Sequence, residues 1–110
     1  MCFYSTEYAK LKTAETDIEC WKVLKSGYRS RYKNFSYKKG VINPLVKLYK
    51  DSWYEINYGY HSYRSEEKAR NNFNFLPDRY MICKFIIPAG THYYANVNGE
   101  YVSEQIMLVK

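Results

Sequence analysis

The sequence predicts an α+β fold in a single domain covering residues 1–110. We expect a mainly antiparallel twisted sheet or split barrel of about five or six strands, with one short helix. Three observations predict it: residues 53–63 alternate like a half-buried strand, residues 79–88 are almost all apolar, and Asn98-Gly99 separates two more alternating segments. Residues 1–16 are polar and mixed, and are expected to form an N-terminal arm.

The first half of the chain contains strand candidates on either side of a long basic segment. Residues 17–25, "DIECWKVLK", are rich in strand-forming side chains. Residues 44–50 fit either a short strand or a single helical turn. In the strand predicted over 53–63, Gly59 indicates a bulge or the close approach of another backbone.

The second half contains the helix and the clearest strand signals. The spacing predicts a helix at about 65–74, because Ser65 can cap its first turn and two glutamates follow at the positive end of the helix dipole. The apolar run 79–88 predicts a central strand buried on both faces. Segments 91–97 and 100–108 are expected to form a hairpin through a two-residue turn at Asn98-Gly99, where both residues accept positive φ.

Charge is distributed unevenly along the chain. The net charge is +6, yet residues 20–50 hold nine of the 17 basic residues and none of the 11 acidic ones. Within this tract, "SGYRSRYKNFSYKKG" combines cations with aromatic rings. Cations neutralise phosphates and rings stack on bases, so this pattern predicts a phosphate-binding site. The candidate residues are Tyr28, Arg29, Arg31, Tyr32, Lys33, Phe35, Lys38 and Lys39.

The tract also has a simpler interpretation, since a solvated basic loop without a partner would give the same composition. The motif Lys38-Lys39-Gly40 is far from a P-loop, which needs GxxxxGK[ST] before a helix.

The cysteines and the start of the chain indicate the compartment. "MCFYSTEYAK" lacks the apolar segment of a signal peptide, and no segment approaches membrane-spanning length. We therefore expect a cytoplasmic protein without a membrane partner, whose three cysteines are reduced. The widely spaced cysteines and histidines predict no metal site, and no cofactor is expected.

Three segments carry a resemblance to a protein family: "MCFYSTEYAKLKTAETDIECWKVL", "GYHSYRSEEKA" and "KFIIPAGTHYYANVNGEYVSEQIMLV". Together they resemble small uncharacterised proteins encoded by bacteriophages and prophages, over most of the chain except its middle. The resemblance implies a phage-related accessory protein in the host cytoplasm, a class in which antagonists of host defence are common.

A second resemblance is to the split sheet of ADP-ribosyltransferases, carried by "GYHSYRSEEKA", by the Pro-x-Gly-Thr segment and by "SEQIML". It implies a pocket in which Glu104 takes the place of the catalytic glutamate, with His61 or Ser62 on the middle strand. The sequence departs from that family in having Lys22 where the enzymes place Arg or His, and no acidic pair flanks Glu104. His61 also fits a hydrogen-bonded structural histidine.

Three functions therefore stand as hypotheses. The first is a non-catalytic binding module for a phosphate-bearing ligand, either a nucleotide-derived signal or nucleic acid. The second is an inhibitor whose basic surface binds an acidic host protein. The third is an ADP-ribosyltransferase-like or nucleotide-processing enzyme, for which the residues offer no nucleophile paired with a base.

Overall fold

The computed structural model describes residues 3–4, 11–25, 27–29, 36–50, 55–71 and 80–109. These residues form a mostly antiparallel sheet with one short helix, as the sequence predicted. The large sheet contains β2 (Lys12–Thr13), β3 (Ile18–Lys25), β6 (Tyr60–Tyr63), β7 (Tyr80–Ile87), β8 (His92–Ala95), β9 (Glu100–Ser103) and β10 (Met107–Leu108). A smaller sheet contains β1 (Phe3–Tyr4), β4 (Tyr49–Lys50) and β5 (Glu55–Tyr58), and the helix is α1 (Glu66–Asn71).

The large sheet is open, with strand order β10-β7-β3-β6-β9-β8-β2. Even the described part of the chain has more strands than the five or six expected. Four strands of the two sheets, β1, β2, β4 and β10, span only two residues each and leave no periodic signal. Strands β3 and β7 are the longest, with eight residues each, and pair in register from Ile18–Ile87 to Lys25–Tyr80.

The two faces of this strand pair enclose different parts of the core. On one face, Cys20 and Leu24 of β3 and Phe85 of β7 are fully buried, together with Ile106 and Leu108. On the other face, Val23 packs with Tyr63 and with Ala69 of the helix. Cys83, Phe85 and Ile87 of β7 are buried on the first face, whereas the residues of β7 on the other face, such as Ile82, are half-buried. The predicted burial on both faces therefore holds fully for one face only.

Helix α1 begins where its cap predicts. The N–H of Lys68 donates to the hydroxyl of Ser65 at 3.0 Å, and Arg70 forms an exposed pair with Glu66 at 3.5 Å. The methyl group of Ala69 is completely buried against the sheet. The helix runs to Asn71, and the rest of the segment predicted as helical lies outside the described residues.

The strand predicted over 53–63 is divided at Gly59. Strand β5 pairs with β1 and β4, whereas β6 pairs with β3 and β9 in the large sheet. Gly59 has φ 126°, and a Cβ there would lie 2.5 Å from Leu48 Cδ2 and 2.5 Å from Val102 Cγ2. The sequence predicted a bulge or the approach of another backbone at this glycine, whereas the nearest atoms are side chains and the backbone oxygen of Ser103 lies farther away, at 3.3 Å. The continuous strand was wrong because the chain changes sheets there.

The hairpin joining β8 and β9 has a three-residue loop. Ala95 pairs with Tyr101, and the N–H of Asn96 donates to Glu100 O at 3.1 Å, which leaves residues 97–99 as the loop. Gly99 has φ 80°, whereas Asn98 does not have positive φ. The two-residue turn was therefore wrong, and the loop has the glycine at its third position, where a left-handed residue is needed. The side chain of Asn96 closes the loop by accepting from the N–H groups of Asn98 and Glu100, both at 3.0 Å.

Candidate ligand-binding groove

The basic tract turns back on the sheet immediately after β3. The N–H of Lys25 donates to the carbonyl of Arg29 at 2.9 Å, and the N–H of Tyr37 donates to the carbonyl of Tyr28 at 2.8 Å. Tyr28 turns the chain with a φ of 58°, which is uncommon for a residue with a side chain. The first bond holds Arg29 against the end of β3, and the second brings Tyr37 beside Tyr28. The predicted site residues Arg31, Tyr32, Lys33 and Phe35 lie outside the described residues.

Two tyrosines of the tract pack into the protein. Tyr37 is only 5% exposed and meets Phe85 edge to face, with the ring centroids 5.0 Å apart. Burial raises the pKa of Tyr37 well above its ordinary value. Tyr28 is half-buried against the same core, and the ammonium group of Lys39 lies 5.1 Å from its ring centroid. The aromatic character of this tract therefore serves the core as well as the surface.

After the tract, residues 40–46 form a segment that we call the strap. It follows the chain 104–108 through three backbone hydrogen bonds, from Gly40 N to Leu108 O (2.9 Å), Asn43 N to Ile106 O (2.9 Å) and Val46 N to Glu104 O (3.0 Å). Pro44 has no N–H to contribute to a ladder. The sequence prediction of a strand or helical turn at 44–50 holds only at its end, where Tyr49–Lys50 form β4.

A groove of about 450 Å³ lies between the strap and the sheet. This volume is within the range of about 300–1,000 Å³ that small-molecule sites occupy. The described residues that line the groove are Ser36, Lys38, Val41, Asn43, Pro44, Val46 and Tyr60. Valine and proline side chains give it apolar walls, while a hydroxyl, an ammonium, an amide and a phenol supply polar groups.

The phenol of Tyr60 fixes one wall of this groove. Its hydroxyl donates to the carbonyl of Pro44 at 2.8 Å, joining β6 to the middle of the strap. Burial raises the pKa of Tyr60, so at neutral pH the hydroxyl keeps its proton and remains a donor. This contact connects residues that are 16 positions apart in the sequence.

The electrostatic surroundings of the groove are cationic. Residues 36–50 include four lysines and no acidic residue, and Lys38, Lys39 and Lys47 are exposed. The strap contacts the backbone of Glu104, but the carboxylate of this residue lies 2.7 Å from Nδ1 of His92. An anion in the groove would therefore meet Lys38 without an opposing carboxylate from residues 36–50.

The second predicted pocket, at His61 and Glu104, is arranged differently. The carbonyl of His61 accepts a hydrogen bond from the ammonium of Lys22, while Glu104 is engaged by His92. Within the described ranges, neither residue lines the groove. Glu104 directly follows the end of β9. Its backbone N–H donates to the carbonyl of His92 in β8 at 3.1 Å.

Ser62 and Cys20 are both fully buried, close to Lys22. The hydroxyl of Ser62 has no hydrogen-bond partner among the described residues. Burial raises the pKa of Cys20 to about 12, against smaller opposite effects of Ser62 and Lys22. At neutral pH this sulfur is a protonated thiol, which is a poor nucleophile and a poor metal ligand.

No group of three or more His, Cys, Asp or Glu side chains that could hold a metal ion occurs among the described residues. Likewise, the described helix is neither long nor apolar enough to cross a membrane.

Of the residues predicted to bind phosphate, Lys38 lines the groove. Arg29 and Lys39 are exposed and belong to the same tract, but they do not line the groove. The other lining residues were not predicted. The Asn43-Pro44 pair interrupts regular structure and indicates a loop, but nothing in the sequence relates that loop to Tyr60. Comparison with family models, with curated proteins and with solved structures finds no match for this chain.

Proposed function

We propose that this protein is a non-catalytic binding module for a phosphate-bearing ligand, held in the groove between the strap and β6. The observation that carries the proposal is a groove of about 450 Å³ that has Lys38 in its wall and lies within the acid-free part of the chain. A site of this volume suits a nucleotide-derived small molecule.

The lining residues divide the groove into two kinds of surface. Lys38 supplies the charge for a phosphate, and the hydroxyl of Ser36 supplies a further hydrogen-bonding group. Val41 and Val46 offer apolar walls to a base or ribose, while the amide of Asn43 can both donate and accept. Arg29 and Lys39 belong to the same tract and would raise the local concentration of anions.

The biological setting is part of the proposal. The resemblance to phage-encoded proteins supports a role as an accessory protein in the host cytoplasm, where a captured nucleotide signal would no longer reach a defence system. A nucleic-acid strand is the second form that a phosphate-bearing ligand could take, and the cationic surface around the groove supports it.

The experiment is a binding measurement with a panel of mononucleotides, cyclic nucleotides and short single-stranded oligonucleotides. A ligand that binds only the folded state stabilises it by about 2.7 kcal/mol at 100 times its Kd, so thermal melting identifies the binders and calorimetry gives their affinities. We expect Lys38→Glu to abolish the shift. The matched control is Lys68→Glu, the same charge change on the exposed surface of α1, at the opposite face of the sheet.

Each outcome has a definite meaning. Equal weakening by both variants would show that only net charge matters, and an unchanged melting temperature with every ligand would refute the binding module. In the second case, an inhibitor of an acidic host protein becomes the better hypothesis. Release of nicotinamide from NAD, or cleavage of a nucleotide in the panel, would instead favour the enzyme.

A further inference from the structure

The outer surface of the strap is unusually apolar. Val41, Ile42 and Leu45 are 51%, 50% and 65% exposed, and all three fall within five consecutive residues. Four extended residues span at most about 14 Å, so these three side chains lie close together on one short segment, and we call the group the ridge. Single exposed aliphatic residues are ordinary, whereas a contiguous group of them marks an interaction surface.

The ridge is held in place by the fold. Its segment is attached to the chain 104–108 by the N–H groups of Gly40, Asn43 and Val46, and to β6 by the hydroxyl of Tyr60. The side chain of Asn43 lies inward at 8% exposure, while its neighbours point to solvent. The apolar groups are thus presented on a preorganised backbone, which lowers the entropic cost of binding.

Lysines surround the ridge. Lys38 and Lys39 precede it, Lys47 follows it, and all three are exposed. No acidic residue occurs between positions 36 and 50. Glu104, whose backbone contacts the strap, has its carboxylate 2.7 Å from His92. A partner that covers the ridge therefore meets positive charge on both sides.

We propose that the ridge is a docking surface for an acidic, apolar segment of a partner protein. Aliphatic or aromatic side chains of that segment would cover Val41, Ile42 and Leu45, and its carboxylates would face Lys39 and Lys47. Interfaces of this kind have an apolar centre and a polar rim, and complementary charge accelerates the encounter. The surface is additional to the groove, although Val41 borders both.

Two other occupants fit the same observations less well. In a symmetric dimer the ridge would face its own copy and bring lysines against lysines, which costs energy. A lipid surface is normally entered by an amphipathic helix with a broad apolar face, whereas the strap is an irregular segment bonded along a sheet edge.

The test uses synthetic peptides of about 12 residues, long enough to span the ridge, in which Leu or Phe alternates with Glu. A matched set carries Lys in place of Glu. Fluorescence anisotropy with the whole protein is expected to show binding of the acidic set only. The double variant Ile42→Ser with Leu45→Ser should weaken the affinity for the acidic peptides by about tenfold or more, as loss of central apolar contacts does. Lys39→Glu with Lys47→Glu should weaken it similarly and remove its salt dependence.

The control is Val97→Ser, which removes an aliphatic side chain of 73% exposure from the β8–β9 loop. It should bind the acidic peptides as the wild type does. Every substituted side chain is exposed, so circular dichroism is expected to be unchanged, which excludes unfolding as the cause. Melting temperatures should be unchanged for the ridge and control variants, while Lys39→Glu loses the contact with the Tyr28 ring and is expected to melt slightly lower.

Four results would overturn the proposal. They are equal binding of the acidic and basic peptide sets, absence of binding by both, equal loss in Val97→Ser and the ridge variant, or ridge-dependent binding to phosphatidylserine vesicles without peptide binding. Ridge-dependent dimerisation in sedimentation, if peptides do not compete with it, would assign the surface to a second copy. None of these results depends on Lys38, so they are separate from the test of the groove.

Discussion

The hydroxyl of Tyr60 donates a 2.8 Å hydrogen bond to the carbonyl of Pro44. This bond attaches the strap to β6, the strand that begins directly after Gly59. Tyr60 thus forms part of the groove wall and also holds the opposite wall in position. The groove and the ridge are two surfaces of one segment, so their geometry depends on this contact.

Tyr60→Phe removes the hydrogen bond and keeps the ring. We expect it to lower the free energy of unfolding by about 1 kcal/mol, the net value of a typical hydrogen bond. Amide hydrogen exchange should accelerate locally at Val46 and Asn43, because the strap loses one of its attachments. Tyr94→Phe is the comparison, since Tyr94 is also half-buried but packs beside Val102. Unchanged exchange in the strap of Tyr60→Phe would mean that the backbone hydrogen bonds alone hold it.

Gly59→Ala should be strongly destabilising for two separate reasons. Its φ of 126° is unfavourable for any side chain, and the new Cβ would lie 2.5 Å from both Leu48 and Val102. Strain and overpacking each cost about 1–3 kcal/mol, so we expect a loss of about 2–6 kcal/mol in urea melts. Gly99→Ala shares the positive φ but meets only the flexible side chain of Lys68, at 3.3 Å. A smaller loss at Gly59 than at Gly99 would contradict this packing.

Much of the sheet could be predicted because its signals are local. The apolar run of β7 identifies a strand inside the sheet, and Ser65 predicts the start of α1 from its capping chemistry alone. By contrast, strands of two residues such as β4 and β10 have no periodicity to detect. Their pairing depends on where distant parts of the chain arrive.

The groove was harder to predict for the same reason. The acid-free tract contains Lys38, which lines the groove, and whether the groove binds a phosphate stays a prediction. Tyr37, however, belongs to the same tract and is buried on Phe85, a contact between residues 48 positions apart. Tyrosine suits both a core and a groove wall. The sequence alone therefore does not show that Tyr37 belongs to the core and Tyr60 to the groove.

The β8–β9 loop provides a test of turn geometry. Gly99→Val places a β-branched side chain at φ 80°, and we expect it to lower the free energy of unfolding by about 1–3 kcal/mol. Gly99→Asn should cost clearly less, because asparagine tolerates the left-handed region. Urea melts of the two variants and the wild type measure the difference. Equal stability of Gly99→Val and wild type would refute the requirement for positive φ at this position.

Alkaline pH should destabilise the protein, because buried acids are held in their neutral forms. Burial raises the pKa of Cys20 from 9.0 to about 12, and it also raises the pKa values of Tyr37 and Tyr101. The unfolded chain then loses these protons at lower pH than the folded chain does. Stability from these groups is complete below about pH 9 and is lost as the pH rises from there toward the folded pKa values.

Cys20→Ala isolates the contribution of the Cys20 thiol to this pH dependence, since Cys83, whose pKa burial also raises, is unchanged in the variant. The variant is expected to lose some stability at every pH, because it leaves a small cavity beside Ser62. Its free energy of unfolding should nevertheless fall less steeply between pH 8 and pH 10.5 than that of the wild type. One fully linked group contributes up to about 1.4 kcal/mol per pH unit, so urea melts at four pH values resolve the difference. Parallel curves for wild type and Cys20→Ala would show that the thiol of Cys20 does not have the raised pKa that its burial implies.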